Sequence, residues 1–215
     1  MDATGRHLAV IRRLFGEAER RGILLWFESG WAIDARLGRC TRAHGDIDVA
    51  YPKEQEEAYL ELLRHLGFGP PERESYGFLS WKEDVLLDSE PCFRIGGAYG
   101  FPGFPGGSCP MEKEGLLGGL AVRCLSWEAM YSELLGYMRE VPGEQWRAKD
   151  FESLRVVEAH VSVGARRRLR RDAGMRPAAD AAAAADAAIA GSRLRTDSAP
   201  YQRPVAAPPA SSSDG

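Results

Sequence analysis

The sequence predicts an α/β (α+β) fold, in which a small mixed β-sheet flanked by helices is followed by a C-terminal helical lobe and a disordered tail. Short apolar runs typical of strands alternate with amphipathic stretches typical of helices in the first half of the chain. Helical patterns dominate after Ser126, and the composition changes again near Ala165. Alternating strands and helices favour a layered domain, and consecutive helices favour a lobe beside it.

The amino-terminal elements follow from local patterns. Residues 7–21 place apolar side chains at helical spacing, and Gly22 ends this helix. The run "ILLWF" predicts a short strand, and "SGWAIDARLGR" predicts a helix with Ser29 as its N-cap and Gly38 at its end. The strand "DIDVAY" follows and is closed by Pro52.

The later elements begin with an amphipathic helix in "KEQEEAYLELLRHLG", strands in "YGFLSWK" and "VLLDSEP", and a Gly- and Pro-rich loop over residues 96–110. Two short strands joined by a Gly-Gly turn are predicted in "GLLGGLAVRCLS", and helices in "SWEAMYSELLGYMREV" and "KDFESLRVVEAHV". We therefore expect a sheet domain over 1–125, a helical lobe over 126–165, and a basic run with a disordered Ala-, Pro- and Ser-rich tail over 166–215.

Composition excludes several classes of protein. The 215 residues carry a formal net charge of -3, which gives no whole-chain argument for binding nucleic acid or a membrane. The four cysteines form no CxxC pair, so neither a zinc site nor a disulfide framework is indicated, and a reducing compartment is favoured. No apolar run reaches the ~18 residues of a membrane span, and the N-terminus has no signal core. We expect a cytoplasmic monomer.

Two acids interrupt an apolar strand. Asp46 and Asp48 alternate with Ile47 and Val49. Because residues two apart in a strand point to the same face, the two carboxylates lie together while the aliphatic residues face the core. Two carboxylates repel each other unless a positive group lies between them, and Mg²⁺ prefers such oxygen ligands. The alternative is that these are ordinary exposed acids of a turn or a sheet edge.

A third acid, Asp88, stands in the apolar run "VLLDSEP", and Glu90 follows two residues later on the same face. Three carboxylates on adjacent strands suit two metal ions about 4 Å apart, the arrangement used to transfer phosphoryl or nucleotidyl groups. Upstream, "WFESGWAID" predicts a strand, a small-residue turn and a helix start, whose N–H groups favour anions. Gly30 allows close approach of a phosphate, and Ser29 offers a hydroxyl. A nucleoside-triphosphate site is therefore predicted.

These motifs resemble those of the nucleotidyltransferase superfamily (DNA polymerase β-like), in which small residues open a helix that precedes a D-hydrophobic-D-hydrophobic strand. The stretch "SGWAIDARLGRCTRAHGDIDVAYP" is similar to the antibiotic nucleotidyltransferases, closest to the aminoglycoside 2″-O-nucleotidyltransferases with the lincosamide enzymes as neighbours. The similarity continues in "YGFL", "LLDSEP", "GSCP", "VRCLSWEA" and "EVP", and covers roughly residues 5–160. It implies a nucleotidyltransferase fold and Mg²⁺-dependent transfer of a nucleoside monophosphate to a hydroxyl of a small molecule, an aminoglycoside or related antibiotic.

The resemblance also implies roles for individual residues. Asp46 and Asp48 would bind two Mg²⁺ ions, and Asp88 would bind the catalytic ion and help to deprotonate the attacking hydroxyl. The donor, ATP or another nucleoside triphosphate, would be held by Ser29, Gly30, Arg42 and Lys149. The acceptor would be held by Glu90 and Glu133. For Lys149 an ordinary helix-surface position remains the alternative, and His44 matches the pattern with an open role.

The chain departs from the family pattern in two places. The family usually has Gly where this chain has Ser29, and the preceding residue here is Glu28, which a strand reading puts on the same face as Gly30, beside the triphosphate. Arg94 and Arg139 are positive where a cationic drug would bind, so a less cationic acceptor is an alternative.

Two other functions are consistent with the sequence. A toxin-like nucleotidyltransferase acting on tRNA or protein is favoured only by the basic run "ARRRLRR", which we interpret as a solvated helix end, so nucleic acid is not expected as a partner. A catalytically weakened nucleotide-binding relative would follow if Glu28 and Ser29 disturb the donor site.

Overall fold

The computed structural model describes residues 2–175 of the chain. The helices are α1 (Ala3–Arg20), α2 (Ser29–Leu37), α3 (Glu56–His65), α4 (Trp127–Glu140), α5 (Ala148–His160) and α6 (Val163–Asp172). The strands are β1 (Trp26–Phe27), β2 (Asp46–Pro52), β3 (Glu72–Arg73), β4 (Phe78–Lys82), β5 (Val85–Ile95), β6 (Ala98–Gly100), β7 (Gly115–Leu117) and β8 (Leu120–Cys124). Most of the predicted tail lies outside the described residues.

The strands form one mixed sheet in the order β3-β4-β5-β2-β1-β8-β7, with β6 pairing with β5. The two long strands β2 and β5 are parallel neighbours near its centre, whereas β1 runs antiparallel to β2 and parallel to β8. Helices pack around this sheet, and α4 contacts both α5 and α6. The predicted mixed sheet flanked by helices, with helices following it, is confirmed.

The apolar residues that alternate with the acids anchor the sheet. Ile47 and Val49 are fully buried, as is Leu87 on the neighbouring strand, while Asp46 and Asp48 are only partly buried. Each such aliphatic side chain stabilises the fold by about 1.5–3 kcal/mol relative to exposure. A shift of β2 by one residue would bury the carboxylates, so the hydrophobic pattern fixes which face carries the acids.

Three local predictions differ from the structure. Only Trp26–Phe27 of "ILLWF" pairs as a strand, and the loop over residues 96–110 contains the short strand β6. The N-cap of α2 is Glu28, and Ser29 is its first helical residue, with an unusual φ of 48°. The Gly-Gly turn is confirmed, because Gly118 and Gly119 have φ of 56° and 83° between β7 and β8.

The basic run belongs to helix α6, so the helical lobe extends to Asp172, past the boundary expected at residue 165. Leu169 is buried, and Arg170 is only 9% exposed because its guanidinium donates to the Tyr131 hydroxyl across 2.6 Å and to the Glu158 carboxylate. The expected solvated helix end is therefore wrong for Arg170. Among the described residues, no helix is long and apolar enough to cross a membrane.

Candidate active site

The register of the two parallel strands brings the predicted acids together. Asp48 of β2 pairs with Asp88 of β5, and Ala50 pairs with Glu90. Since paired residues on parallel strands point to one face, the four carboxylates share that face: Asp46, Asp48, Asp88 and Glu90. Neighbouring strands lie about 4.8 Å apart, so the side chains of Asp48 and Asp88 are direct neighbours.

These carboxylates suit a hard divalent cation in chemistry and position. All four residues are partly exposed, so none of them is sealed in the core. Within residues 2–175, no three acidic, His or Cys side chains are already gathered around one point. Binding of an ion therefore requires side chains that already share a face to converge on it. The residues that would hold it are Asp46, Asp48 and Asp88.

Tyr76 holds one of these acids. Its hydroxyl donates to Oδ2 of Asp88 across 3.1 Å. Next to Tyr76, the backbone of Gly77 lies very close to β5: a Cβ on Gly77 would lie 2.0 Å from the Ser89 carbonyl oxygen. A glycine is therefore required next to Tyr76. The quoted motif "YGFL" contains both residues, but sequence reasoning assigned neither of them a role.

A first cavity opens beside Asp46 and Asp48. It contains the predicted nucleotide-binding residues together with residues from α4 and α5. Its lining consists of Ser29, Gly30, Ile33, Arg42, His44, Asp46, Asp48, Met130, Glu133, Leu134, Tyr137, Arg147, Lys149, Asp150 and Ser153. The structure thus brings Ser29, Gly30, Arg42 and Lys149 into one cavity.

The positively charged side chains of the first cavity repel one another. Burial, Arg147 and Arg42 lower the pKa of Lys149, and Asp46 opposes them. Lys149 therefore faces the cavity and is not an ordinary surface lysine. Sequence reasoning missed Arg147, which is fixed by two bonds of 3.0 and 2.8 Å from its guanidinium to the Asp150 carboxylate.

The absence of a side chain at Gly30 has a direct structural reason. A Cβ there would lie 2.6 Å from two ring atoms of His44 and 2.7 Å from the guanidinium of Arg42. The His44 ring cannot withdraw easily, since its Nε2 lies 2.7 Å from Oδ2 of the fully buried Asp34 and it packs on Trp31. His44 therefore fixes the loop that carries Arg42.

The first turn of α2 is bonded to α4. The Ser29 hydroxyl donates to Oε1 of Glu133 across 2.6 Å, and the backbone N–H of Ser29 also contributes to this contact. Burial, helped by the nearby charge of Asp88, raises the pKa of Glu133 to about 7. Glu133 thus occupies the helix terminus that the sequence assigned to phosphate, and it lines a second cavity as well.

Glu28 does not line the first cavity beside Gly30, where the strand reading predicted it. Glu28 is 2% exposed and is not among the residues lining the first cavity. Its charge acts on Tyr59 and Cys109, which are both buried. The local structure also differs from the prediction, because α2 starts one residue earlier than expected and Glu28, not Ser29, is its N-cap.

The second cavity has a volume of about 710 Å³ and shares Glu133 and Tyr137 with the first. Five of its residues are acidic and two are basic: Glu90, Glu128, Glu133, Glu140 and Asp172, with Arg139 and Arg168. Tyr76, which bonds to Asp88, also lines it, and Asp48, which pairs with Asp88, lines the first cavity, although Asp88 itself is in neither lining. Arg94, expected near the acceptor, is not in this lining; it bonds to Tyr99 near the end of β5.

Comparison with known proteins agrees with this geometry. Residues 10–152 match the family model described as aminoglycoside-2″-adenylyltransferase. The chain is 42% identical over 165 residues to a 2″-aminoglycoside nucleotidyltransferase of Escherichia coli, which covers 77% of this chain and 91% of the relative.

Solved structures agree as well. The crystal structure of ANT(2″)-Ia in complex with adenylyl-2″-tobramycin superposes with a TM-score of 0.75 at 38% identity, over 78% of this chain and 97% of that one. The lincomycin-bound lincosamide adenylyltransferase LnuA, at 17% identity and a TM-score of 0.51 over 70% of this chain and 97% of its own, supports the fold alone. The chain therefore belongs to the aminoglycoside-2″-adenylyltransferase family and is a transferase of the nucleotidyltransferase type.

Proposed function

We propose that this enzyme transfers AMP from ATP to the 2″-hydroxyl of an aminoglycoside, in a Mg²⁺-dependent reaction that inactivates the antibiotic. The observation that carries the proposal is the pairing of Asp48 with Asp88 between two cavities, of which one contains three cations and the other an excess of carboxylates. The crystallised neighbour bound to adenylyl-2″-tobramycin supports this choice of acceptor and of hydroxyl.

The first cavity is the donor site in this proposal. Arg42, Arg147 and Lys149 neutralise the triphosphate, and Asp150 keeps the Arg147 guanidinium in place. Asp46 and Asp48 would hold Mg²⁺, with Asp88 as a further ligand. When bound, Mg²⁺ neutralises developing negative charge and lowers the pKa of the attacking hydroxyl. The protein contributes mainly position and electrostatic stabilisation.

The second cavity is the acceptor site. The aminoglycoside hydroxyl approaches Asp88. Asp88 accepts the proton of this hydroxyl, while the hydroxyl oxygen forms a bond to the α-phosphorus of ATP. The bond from the α-phosphorus to the bridging oxygen breaks, and pyrophosphate leaves. Tyr76 orients the Asp88 carboxylate through its hydrogen bond. Glu90 and Glu133 attract the ammonium groups of the drug, and a bound ammonium favours the charged form of Glu133.

The reaction is tested by pyrophosphate release from the purified full-length protein with Mg²⁺, tobramycin and each of the four nucleoside triphosphates. We expect release with ATP, an adenylylated product by mass spectrometry, and a loss of at least a hundredfold in Asp88→Asn. Folded protein that binds Mg²⁺–ATP but modifies no aminoglycoside would contradict the assignment. Transfer of label to cellular RNA or protein instead would favour the toxin-like alternative.

We place the reaction in the cytoplasm and expect a monomer. The cysteines Cys40, Cys92, Cys109 and Cys124 are all free thiols, as a reducing compartment with abundant ATP would maintain. The buried position of Glu28 removes the reason for expecting a weakened donor site. Arg168 of the basic run faces the acceptor cavity, which accounts for part of that run without invoking RNA.

A further inference from the structure

The second cavity has an outer rim of exposed charged residues. We define this outer rim as Glu128, Arg139, Glu140, Arg168 and Asp172, all of which line the cavity. The side chains of Arg139 and Arg168 are 57% and 51% exposed, so both guanidinium groups remain in water at the cavity mouth. Glu90 and Glu133 are only partly exposed and lie at the inner end, toward Asp88. The outer end of an acceptor bound in the second cavity would therefore contact the outer rim.

Each acid of the outer rim has a basic partner within ion-pair distance. Arg168 lies 3.3 Å from Glu128, and Arg139 lies 3.1 Å from Glu140. Asp172 lies 3.9 Å from Arg171, the next arginine of α6. An acid that is already paired attracts an incoming ammonium less than a lone acid does, because the guanidinium repels it at nearly the same distance. The rim therefore offers little net attraction to a cation.

We infer that Arg139 and Arg168 select acceptors by charge, admitting a hydroxyl-bearing outer end and disfavouring an ammonium group there. This inference rests on the proposed function, since it describes which aminoglycosides the second cavity accepts. The inner carboxylates Glu90 and Glu133 hold the cationic part of the drug. The rim disfavours drugs that also carry positive charge at the outer end. Aminoglycosides with fewer amino groups at the outer end are then the better substrates.

The expected size of the effect on acceptor binding follows from the interaction between exposed charges. One unit charge about 7 Å from another in water of low ionic strength contributes roughly 0.6 kcal/mol, a factor of about 2.7, so two arginines together give about sevenfold. At about 0.15 M salt, screening reduces this to about twofold. Such an effect belongs in binding of the acceptor and not in the chemical step, because the rim residues lie away from Asp88.

The test compares KM and kcat of Arg139→Gln, Arg168→Gln and the double variant with those of the wild type. Glutamine keeps most of the length and the helix propensity of arginine, so the helices are preserved. Arg167→Gln is the matched control, since Arg167 is exposed on the same helix but does not line the cavity. The acceptors are tobramycin and a series of its derivatives, each lacking one amino group.

At low ionic strength we expect the double variant to lower KM for tobramycin about sevenfold with kcat unchanged, while Arg167→Gln leaves KM unchanged. One deamino derivative, the one that lacks the outer amino group, should have the same KM in the wild type and the double variant. Arg168→Lys should keep the wild-type KM, because it keeps the charge. If the double variant changes KM no more than Arg167→Gln does, or Arg168→Lys lowers KM as much as Arg168→Gln, the inference is overturned. A wild type that modifies no aminoglycoside at all instead overturns the proposed function, and the inference with it.

Discussion

The hydroxyl of Ser29 and the carboxylate of Glu133 lie 2.6 Å apart, which joins the first residue of α2 to α4 at the boundary of the two cavities. Ser29 has a φ of 48°, in the left-handed region that residues with a side chain rarely adopt. The hydrogen bond therefore stabilises a strained backbone conformation at Ser29. Helices α2 and α4 meet at this contact, so its strength affects how both are held.

Substitutions at Ser29 separate the hydrogen bond from the strain. Ser29→Ala keeps the strain and removes the bond to a carboxylate, so we expect a loss of about 1–2 kcal/mol in the free energy of unfolding. Ser29→Gly removes the bond but relieves a strain of about 1 kcal/mol, so its stability should stay within about 1 kcal/mol of the wild type. Urea denaturation measures both. Equal losses in the two variants would show that the positive φ costs nothing here.

A methyl group at Gly30 is expected to disrupt the first cavity. It would meet the His44 ring at 2.6 Å, and that ring is held by Asp34, so the loop carrying Arg42 must move. We expect Gly30→Ala to reduce kcat/KM for the nucleotide at least tenfold. Gly16→Ala is the control, because nothing lies within 4 Å of its added Cβ in helix α1 and the change should stabilise the protein by about 0.5–1 kcal/mol. Full activity in Gly30→Ala would mean that the loop adapts without cost.

The face that carries the carboxylates was predictable because a strand has a period of two. The alternation of Asp46 and Asp48 with Ile47 and Val49 is local information, and the partly buried and fully buried positions follow it. Asp88 was found by the same rule, but its exact pairing with Asp48 depends on strand order, which no local pattern contains.

The residues missed by sequence reasoning come from elements that meet only in the folded chain. Arg147 stands at the start of α5, and Tyr76 reaches Asp88 from the segment before β4. Glu28 was misplaced for a smaller reason: a strand reading and a helix N-cap reading point its side chain in different directions.

The raised pKa of Glu133 predicts a pH dependence of stability in the absence of divalent ions. Its pKa is about 7 in the folded protein and near 4.5 in the unfolded chain, so the folded state binds more protons between these values. The free energy of unfolding should therefore fall as the pH rises from about 4.5 to 7, by at most 1.4 kcal/mol per pH unit from this one group. Glu133→Gln, which keeps an oxygen for Ser29, should show a flatter profile. Identical profiles for the two proteins would contradict the assigned pKa.

The hydrogen bond from Tyr76 to Asp88 predicts a defect in the chemical step. Tyr76→Phe removes a hydroxyl that lies 3.1 Å from Oδ2 of Asp88, so the carboxylate loses the contact that orients it toward the acceptor hydroxyl. We expect kcat to fall about tenfold, which corresponds to roughly 1.4 kcal/mol, the value of one hydrogen bond to a charged group. The KM for ATP should change little, because Tyr76 does not line the first cavity.

Tyr99→Phe provides the matched control for this prediction. It removes the same hydroxyl from a tyrosine that bonds to Glu54 across 2.7 Å and lines neither cavity. We expect its kcat to match the wild type, since its hydroxyl bonds to Glu54 and not to Asp88. If Tyr76→Phe raises the KM for the aminoglycoside and leaves kcat intact, the hydroxyl serves acceptor binding and does not position Asp88. The split between kcat and KM decides between these roles, because an interaction made only in the transition state lowers kcat.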